Sequence, residues 1–356
     1  MELDTVLDTT KVVDEIKILD EVRVGVIGCG YWGPNLIRNF VEAPKSKLVA
    51  VADLRPERLK FIGSSYPQVR LISDYQELFE MGLDAIVVAT PPTTHYQIAK
   101  DVLEHGIPVL VEKPLTMRSD HAKELVDLAK SKNLVLMVGH AFEYNTAVQS
   151  LKTMVDNGDL GKLHYIDSAR LNLGLYQKGT NVLWDLAPHD ISIFNFLFNN
   201  APVSVSARGH KCLGGNLDDL AFATIDYPDN IMVSVHVSWL DPKKVRQITV
   251  VGSQKMAAWD DLDAEMPIKL YDKHVEKTSV YYETYGEFQL LSREGSITIP
   301  KIGFNEPLKA QAQYFIQCVE KNQPPVMADA LKAADVVRVL TAIGESINRK
   351  GELVKL

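Results

Sequence analysis

Residues 22–40 read VRVGVIGCGYWGPNLIRNF. A short β-branched run ends on Gly28, and Gly28-x-Gly30-x-x-Gly33 opens a segment whose apolar residues Leu36, Ile37 and Phe40 recur at helical spacing. Each glycine answers a steric demand. Gly28 allows a tight turn, Gly30 lets a ligand reach the backbone, and Gly33 lets the helix pack close to the strand. The free N–H groups at a helix start favour a phosphate. A second apolar run, KLVAVAD, ends on Asp53, twenty residues after Gly33. The glycine pattern alone would be weak. With strand, helix and acid in place it is the dinucleotide fingerprint. Asp53 suits a ribose diol and its charge disfavours a 2′-phosphate, so NAD is expected as cofactor. Arg55 and Arg58 follow closely and can hold such a phosphate, which keeps NADP as the alternative.

The alternation continues through DAIVVAT (84–90), a helix beginning in PPTTHYQIAKDVLEHG, IPVLVEKP (107–114), the amphipathic SDHAKELVDLAKSKN and LVLMVGH (134–140). Strand and helix in strict turn predict a doubly wound parallel sheet. Ligands in such sheets sit beyond the carboxyl ends of the strands. That rule selects the strand exits as the cofactor site: Gly28, Gly30, Tyr31, Trp32 and Gly33; Asp53 and Leu54; Thr90, Pro91 and Pro92; Glu112 and Lys113. His95, just after ATPPTT, either approaches the nicotinamide or holds the loop. Charges at the end of a central strand are unexpected in a plain core, although a lysine there can also simply reach out to solvent.

After about residue 140 the pattern changes. A helix, TAVQSLKTMVDNG, precedes the strand KLHYIDSARLNLG, and alternating runs follow: VSVSARGHK, LAFATIDYP, NIMVSVHVSWL, VRQITVVGS and QKMAAWD. These predict an open, mostly antiparallel sheet with helices on one face. Two helices close the chain. The expected fold is therefore α/β. An N-terminal extension (1–21) precedes a Rossmann domain (22–140) and an α+β domain (141–356) for substrate binding and oligomerisation.

Bulk properties limit the function. A chain of 356 residues is long enough for two domains. A net charge of −8 gives no attraction to nucleic acid or to an anionic membrane surface. No apolar stretch reaches bilayer length. The acidic start MELDTVLDTTKVVDEIKILDE lacks the pattern of a secretory signal. Three scattered cysteines fit a reducing cytosol, so the protein is expected to be cytoplasmic. No zinc spacing and no G-x-S-x-G occur, so neither a metal nor a serine triad is expected.

One further segment carries chemistry. WDLAPHD (184–190) sets Asp185 and His189 four residues apart at the front of the apolar run ISIFNFLF. On a helix they share a face. By itself the segment fits an N-capping aspartate and a core histidine. Beside the fingerprint and Glu112-Lys113-Pro114 it reads as an acid–base pair turned toward Lys113.

These motifs, VGVIGCGYWG, ATPPTTHY, VLVEKPL, NGDLGKLHYI and WDLAPHD, resemble in order and spacing the Gfo/Idh/MocA oxidoreductase family of glucose–fructose oxidoreductase and inositol dehydrogenase relatives, from Val22 to about the C-terminal helix. The resemblance implies a cis Lys113–Pro114 peptide and places Lys113 beside the nicotinamide ribose and the reacting hydroxyl. It implies closing helices packed near the domain junction. It also implies an open sheet face used for subunit contacts, hence a homo-dimer or homo-tetramer. The expected chemistry is hydride transfer between a sugar secondary hydroxyl and nicotinamide. His189 is the expected base, Lys113 stabilises charge on oxygen, and Asp185 orients the sugar or tunes the other two. Many relatives carry Arg-Phe after the last Rossmann strand, whereas this chain reads HAFEYN (140–145). HAFEYN, RLNLG and WDLAPHD together resemble a nucleotide-sugar branch similar to UDP-N-acetylglucosamine-uronate 3-dehydrogenase, which oxidises the 3-hydroxyl. For such a substrate, Tyr144, Asn172 and Tyr176 are candidate sugar contacts. Arg170, Lys178, Lys243, Lys244 and Arg246 are candidate cations, each of them also explicable as a solubility charge. The rival readings are a free sugar or inositol dehydrogenase or keto-sugar reductase, an NAD-using non-redox glycosidase, and a non-catalytic ligand-responsive regulator.

Overall fold

The computed structural model describes residues 20–174, 179–276 and 291–356. The first sheet has six parallel strands: β1 (Val22–Ile27), β2 (Ser46–Ala52), β3 (Arg70–Ile72), β4 (Ala85–Val88), β5 (Val109–Val111) and β6 (Leu136–Val138), in the order β3-β2-β1-β4-β5-β6. Every residue of β4, β5 and β6 is buried. That explains their unbroken Val, Ile and Leu runs: helices cover both faces, so no position alternates to solvent. Sealing Val87 or Val88 contributes about 1.5–3 kcal/mol each. The strand order reverses between β1 and β4, which opens a crevice at their carboxyl ends.

Helices α1 (Gly33–Glu42), α2 (Pro56–Ser65), α3 (Pro92–Glu104) and α4 (Ser119–Ser131) cover this sheet. Two helices from the far end of the chain, α7 (Pro307–Glu320) and α8 (Ala330–Asn348), return to it. Phe315 of α7 meets Phe40 of α1 edge to face at 6.1 Å, and the N–H of Val138 donates to the carbonyl of Ala328 (3.0 Å). The Rossmann core is thus completed by C-terminal residues.

The second sheet has nine strands: β7 (Leu163–Leu173), β8 (Ser204–His210), β9 (Leu220–Tyr227), β10 (Ile231–Ser238), β11 (Leu240–Gly252), β12 (Met256–Asp260), β13 (Ile268–Glu276), β14 (Leu291–Thr298) and β15 (Val354–Lys355). Its order is β14-β13-β12-β11-β7-β10-β9-β8-β15, antiparallel except for β7 with β10. One face buries Ile166, Val235, Val250 and Trp259 against Ile191, Phe194 and Leu197 of α6 (Val182–Phe198). Helix α5 (Thr146–Asp156) and α8 complete the cover. The opposite face leaves Tyr165, Phe222 and Met232 exposed. No helix among the described residues is long and apolar enough to cross a membrane.

Candidate active site

The β1–α1 turn is built as a phosphate cradle. Gly28 has φ +96°, and a Cβ there would stand 2.6 Å from the carbonyl oxygen of Ala89. A Cβ on Gly33 would stand 2.4 Å from the carbonyl oxygen of Gly28. At Gly30 a Cβ would meet only the Arg55 guanidinium, 3.3 Å away. The turn is therefore tight below and open above, as a pyrophosphate requires. Tyr31 and Leu54 flank it almost fully exposed. Asp53 is held in place: Oδ2 accepts from the Cys29 N–H (2.9 Å) and Oδ1 from the Arg55 N–H (2.9 Å). The Arg55 side chain folds back on the same carboxylate, Nε to Oδ1 at 3.0 Å and Nη2 to Oδ2 at 3.2 Å. Although burial opposes ionisation, the Arg55 side chain and the two N–H donors hold the carboxyl down at about 2. A carboxylate offers roughly four lone-pair sites, and all are engaged. Arg55 is half-exposed, so its ion pair opens at little cost. Arg55→Ala is expected to tighten NADH binding relative to NADPH by about tenfold, checked by fluorescence titration of both nucleotides.

The peptide Lys113–Pro114 is cis. The turn is fixed from below by His95, which is fully buried, its ring nitrogens 2.8 Å from the Pro114 carbonyl oxygen and 2.9 Å from that of Thr90. Burial lowers its pKa, against the pull of those two carbonyls. Thr94, in the first turn of α3 after Pro91 and Pro92, donates its hydroxyl to the Pro91 carbonyl (2.8 Å). Glu112 is buried and its carboxyl is pushed up to about 7 by desolvation, with the Lys113 cation, its backbone N–H and the Trp32 side chain opposing. A Cβ on Gly139 would stand 2.9 Å from this carboxyl group, so any larger residue there would push the Glu112 side chain aside.

Lys113 reaches across to α6. Asn181 caps that helix, its side chain accepting from the Trp184 N–H (3.1 Å). Pro188, inside the helix, has no N–H to give the carbonyl of Trp184. The next carbonyl, that of Asp185, accepts the Lys113 ammonium at 3.0 Å. The Asp185 carboxylate accepts from the Trp239 indole N–H (3.1 Å). His189 lies one turn further along. Its Nδ1 is sealed from solvent with no hydrogen-bond partner among the described residues. Burial, reinforced by the cations of Lys113, Arg170 and Arg246, holds its imidazole well below the usual range. Burial likewise lowers the pKa of Lys113. Behind His189 runs a buried assembly. Arg170 of β7 grips Asp190 with Nε at 3.1 Å from both oxygens and Nη2 at 2.7 Å from Oδ1. Its guanidinium lies 4.8 Å from the Phe142 ring centre, and Phe142 meets the His189 ring edge-on at 5.1 Å.

Residues 22–140 match an oxidoreductase family with an NAD-binding Rossmann fold, and residues 148–258 match the GFO/IDH/MocA C-terminal domain. The chain belongs to the Gfo/Idh/MocA oxidoreductase family. It is 30% identical over 245 residues to the uncharacterized oxidoreductase YdgJ of Escherichia coli (strain K12), covering 65% of this chain and 69% of that one. With the uncharacterized oxidoreductase YrbE of Bacillus subtilis (strain 168) it shares 25% over 205 residues, 56% of this chain and 60% of that relative's length. It is 26% identical over 248 residues to UDP-N-acetylglucosamine 3-dehydrogenase of Acidithiobacillus ferrooxidans, covering 69% of this chain and 76% of that one. The solved structure of that enzyme matches with a TM-score of 0.78 at 21% identity, over 92% of this chain and 98% of the other. At that identity the structural likeness speaks for the fold.

As a Gfo/Idh/MocA protein the chain has NAD as its cofactor, and the cradle described above fits it. Several residues expected at the site lie elsewhere. Tyr144 is no sugar contact: its ring is buried in the Rossmann core, 5.7 Å from that of Tyr314. His95 serves the turn, with both ring nitrogens spent on backbone carbonyls. Arg170 is neither a free cation nor a solubility charge, because Asp190 neutralises it in the interior. Lys243 and Lys244 are exposed. Tyr176 and Lys178 lie outside the described residues. Asn172 is on the same face of β7 as Arg170, its Oδ1 sealed and without a partner among the described residues. Asp190, Phe142 and Trp239 were not foreseen. For Asp190 a signal existed, since a carboxylate directly before the buried run ISIFNFLF demands a partner. Trp239 had none.

Proposed function

We propose that this protein transfers a hydride between NAD and a secondary hydroxyl of a sugar, the 3-hydroxyl of a nucleotide-linked sugar such as UDP-N-acetylglucosamine-uronate. The observation that carries the reading is the convergence of Lys113, from the exit of β5, with Asp185 and His189, from the front of α6. The likeness to UDP-N-acetylglucosamine 3-dehydrogenase over 76% of that enzyme supports the substrate class.

Bound NAD supplies the hydride acceptor at C4 of its nicotinamide. Gly28, Gly30 and Gly33 cradle its pyrophosphate and Asp53 faces its ribose. His189 is neutral at ordinary pH and takes the hydroxyl proton at Nε2. Lys113 has spent one N–H on Asp185. Its other two remain for the reacting oxygen, where they stabilise the charge that develops as the proton leaves. Asp185, fixed by Trp239, holds the Lys113 side chain's end of the site in register. Asn172 offers its amide to a sugar hydroxyl.

The pH profile follows from the two shifts. The base form of His189 is lost only as pH falls through its depressed pKa, so the acid limb of kcat/KM is expected well below pH 6.5. The ammonium of Lys113 is lost as pH rises through its own depressed pKa, so the alkaline limb is expected below 10.5. A measured kcat/KM profile with an acid limb at or above 6.5 would contradict the assignment of His189 as a neutral base.

The exposed sheet face with Tyr165, Phe222 and Met232 is read as the subunit contact of a homo-dimer or homo-tetramer, and the protein's three free cysteines, Cys29, Cys212 and Cys318, suit a reducing cytoplasm. Phe222 stacks on His236 at 4.1 Å, so this face offers exposed aromatic surface that a second copy can cover. Phe222→Glu is expected to shift the mass toward the monomer in light scattering.

The functional test is NADH absorbance with a panel of UDP- and dTDP-sugars, free glucose, glucose 6-phosphate and myo-inositol. A signal confined to nucleotide sugars is expected. A signal only with free polyols would sink the nucleotide-sugar reading. Glycoside cleavage without NADH would point to the non-redox chemistry.

A further inference from the structure

Strands β7 and β11 place Arg170 and Arg246 directly opposite each other. Cβ atoms of such pairs are roughly 4.5–5.5 Å apart, and like charges there repel. The two arginines resolve this differently. Arg170 is sealed, and Asp190 takes its guanidinium by two nitrogens. Arg246 is one-third exposed and donates only through Nη1, to Oδ2 of Asp261 at 2.9 Å. Its Nε and Nη2 have no hydrogen-bond partner among the described residues.

Position gives this difference a meaning. Arg246 shares a strand face with Ile248 and Val250, whose side chains are buried in the core beneath α6. That face carries Arg170, which binds the residue adjacent to His189. Arg246 is therefore at the mouth of the same site, one strand further out. It is close enough to depress both Lys113 and His189. A cation beside an imidazole that must accept a proton opposes that step, so Arg246 suits this place only if it has a use that outweighs the cost. A guanidinium one-third exposed, with Nε and Nη2 unpaired among the described residues, is shaped for a planar carboxylate.

We infer that Arg246 is the anchor for a carboxylate on the reacting sugar ring, which makes the substrate a sugar acid. This deepens the reading proposed above and rests on it for the location of the ring. A nucleotide diphosphate is the other anion such a substrate carries. It lies beyond the anomeric carbon, whereas Arg246 stands beside the groups that handle the reacting hydroxyl.

The test titrates NADH-loaded protein, following the fluorescence of the bound nucleotide, with two matched pairs: UDP-N-acetylglucosamine-uronate against UDP-N-acetylglucosamine, and free glucuronate against free glucose. The wild type is expected to bind the acid of at least one pair more tightly. Arg246→Met is expected to weaken that acid by about 10- to 100-fold and leave its neutral partner within about twofold. Asp261→Asn, which frees the guanidinium, is expected to tighten the acid. Unchanged NADH binding in each variant reports an intact fold. Equal loss for acid and neutral UDP-sugars would assign Arg246 to the diphosphate, and no change for either acid would leave it a surface ion pair. Either result overturns the anchor. An acid preference confined to the free pair would keep the anchor and overturn the nucleotide-sugar reading.

Discussion

Lys113→Met is expected to lower kcat by about a thousandfold while NADH binding changes only a few-fold. The magnitude follows from its role: removing one preorganised donor to a developing oxyanion costs roughly 10²–10³ in rate, and Lys113 presents two free N–H groups there. Methionine keeps most of the length and the apolar stem, so the gap to α6 stays largely filled. What disappears is the charge, together with the bond to the Asp185 carbonyl (3.0 Å). NADH binding is governed mainly by the turn at Gly28–Gly33 and by Asp53. A split between a collapsed kcat and an intact nucleotide affinity therefore separates a chemical role from a structural one. Equal loss of both would place Lys113 in the support of the cleft, as a strand-end lysine whose work is packing. Single-turnover kinetics with saturating NAD, beside a fluorescence titration, measures both quantities.

Asp190→Ala is expected to destabilise the fold by about 3–5 kcal/mol, because it leaves the Arg170 guanidinium buried and uncompensated. Both partners are at most 4% exposed, so solvent cannot take over from the lost carboxylate. The loss should also release Phe142, whose ring lies 4.8 Å from that guanidinium and edge-on to His189. Replacing both partners with apolar residues, Arg170→Met with Asp190→Leu, is expected to recover most of the stability, since a well-packed apolar pair commonly matches a buried ion pair. Turnover should remain impaired in the double variant, because His189 has lost its backing. Thermal denaturation of the three proteins checks the first part. A single variant as stable as the wild type would mean that the pair is wetter than its burial indicates.

The parts of the fold legible in the sequence were those with local periodicity. The fingerprint, the alternation through LVLMVGH and the strands from KLHYIDSARLNLG to QKMAAWD all carry their own pattern, and the structure realises them as β1, β2 and β4 to β12 with their intervening helices. β3 buries only Ile72, with Arg70 and Leu71 exposed, so it shows no apolar run. The return of α7 and α8 onto the first sheet could be placed only by resemblance, because a helix's apolar face does not name its partner. Among the candidate-site residues, Lys113, Asp185 and His189 stand out in the sequence because their residue types contrast with apolar surroundings. Tyr144 misled for the opposite reason. A tyrosine in a loop after a strand exit looks like a ligand contact, but it packs against Tyr314 across a long stretch of chain. Arg170 misled likewise: its partner Asp190 is twenty residues away and on another element.

The account turns on a hydride passing from the sugar to nicotinamide at this site. The most direct measurement is isotope transfer. Purified protein is incubated with NAD and UDP-N-acetylglucosamine-uronate deuterated at C3, and the NADH formed is analysed by mass spectrometry. Deuterium in the NADH produced by wild type, and none formed at a comparable rate by His189→Ala, is the predicted result. NADH free of deuterium, or undiminished transfer in His189→Ala, would contradict it.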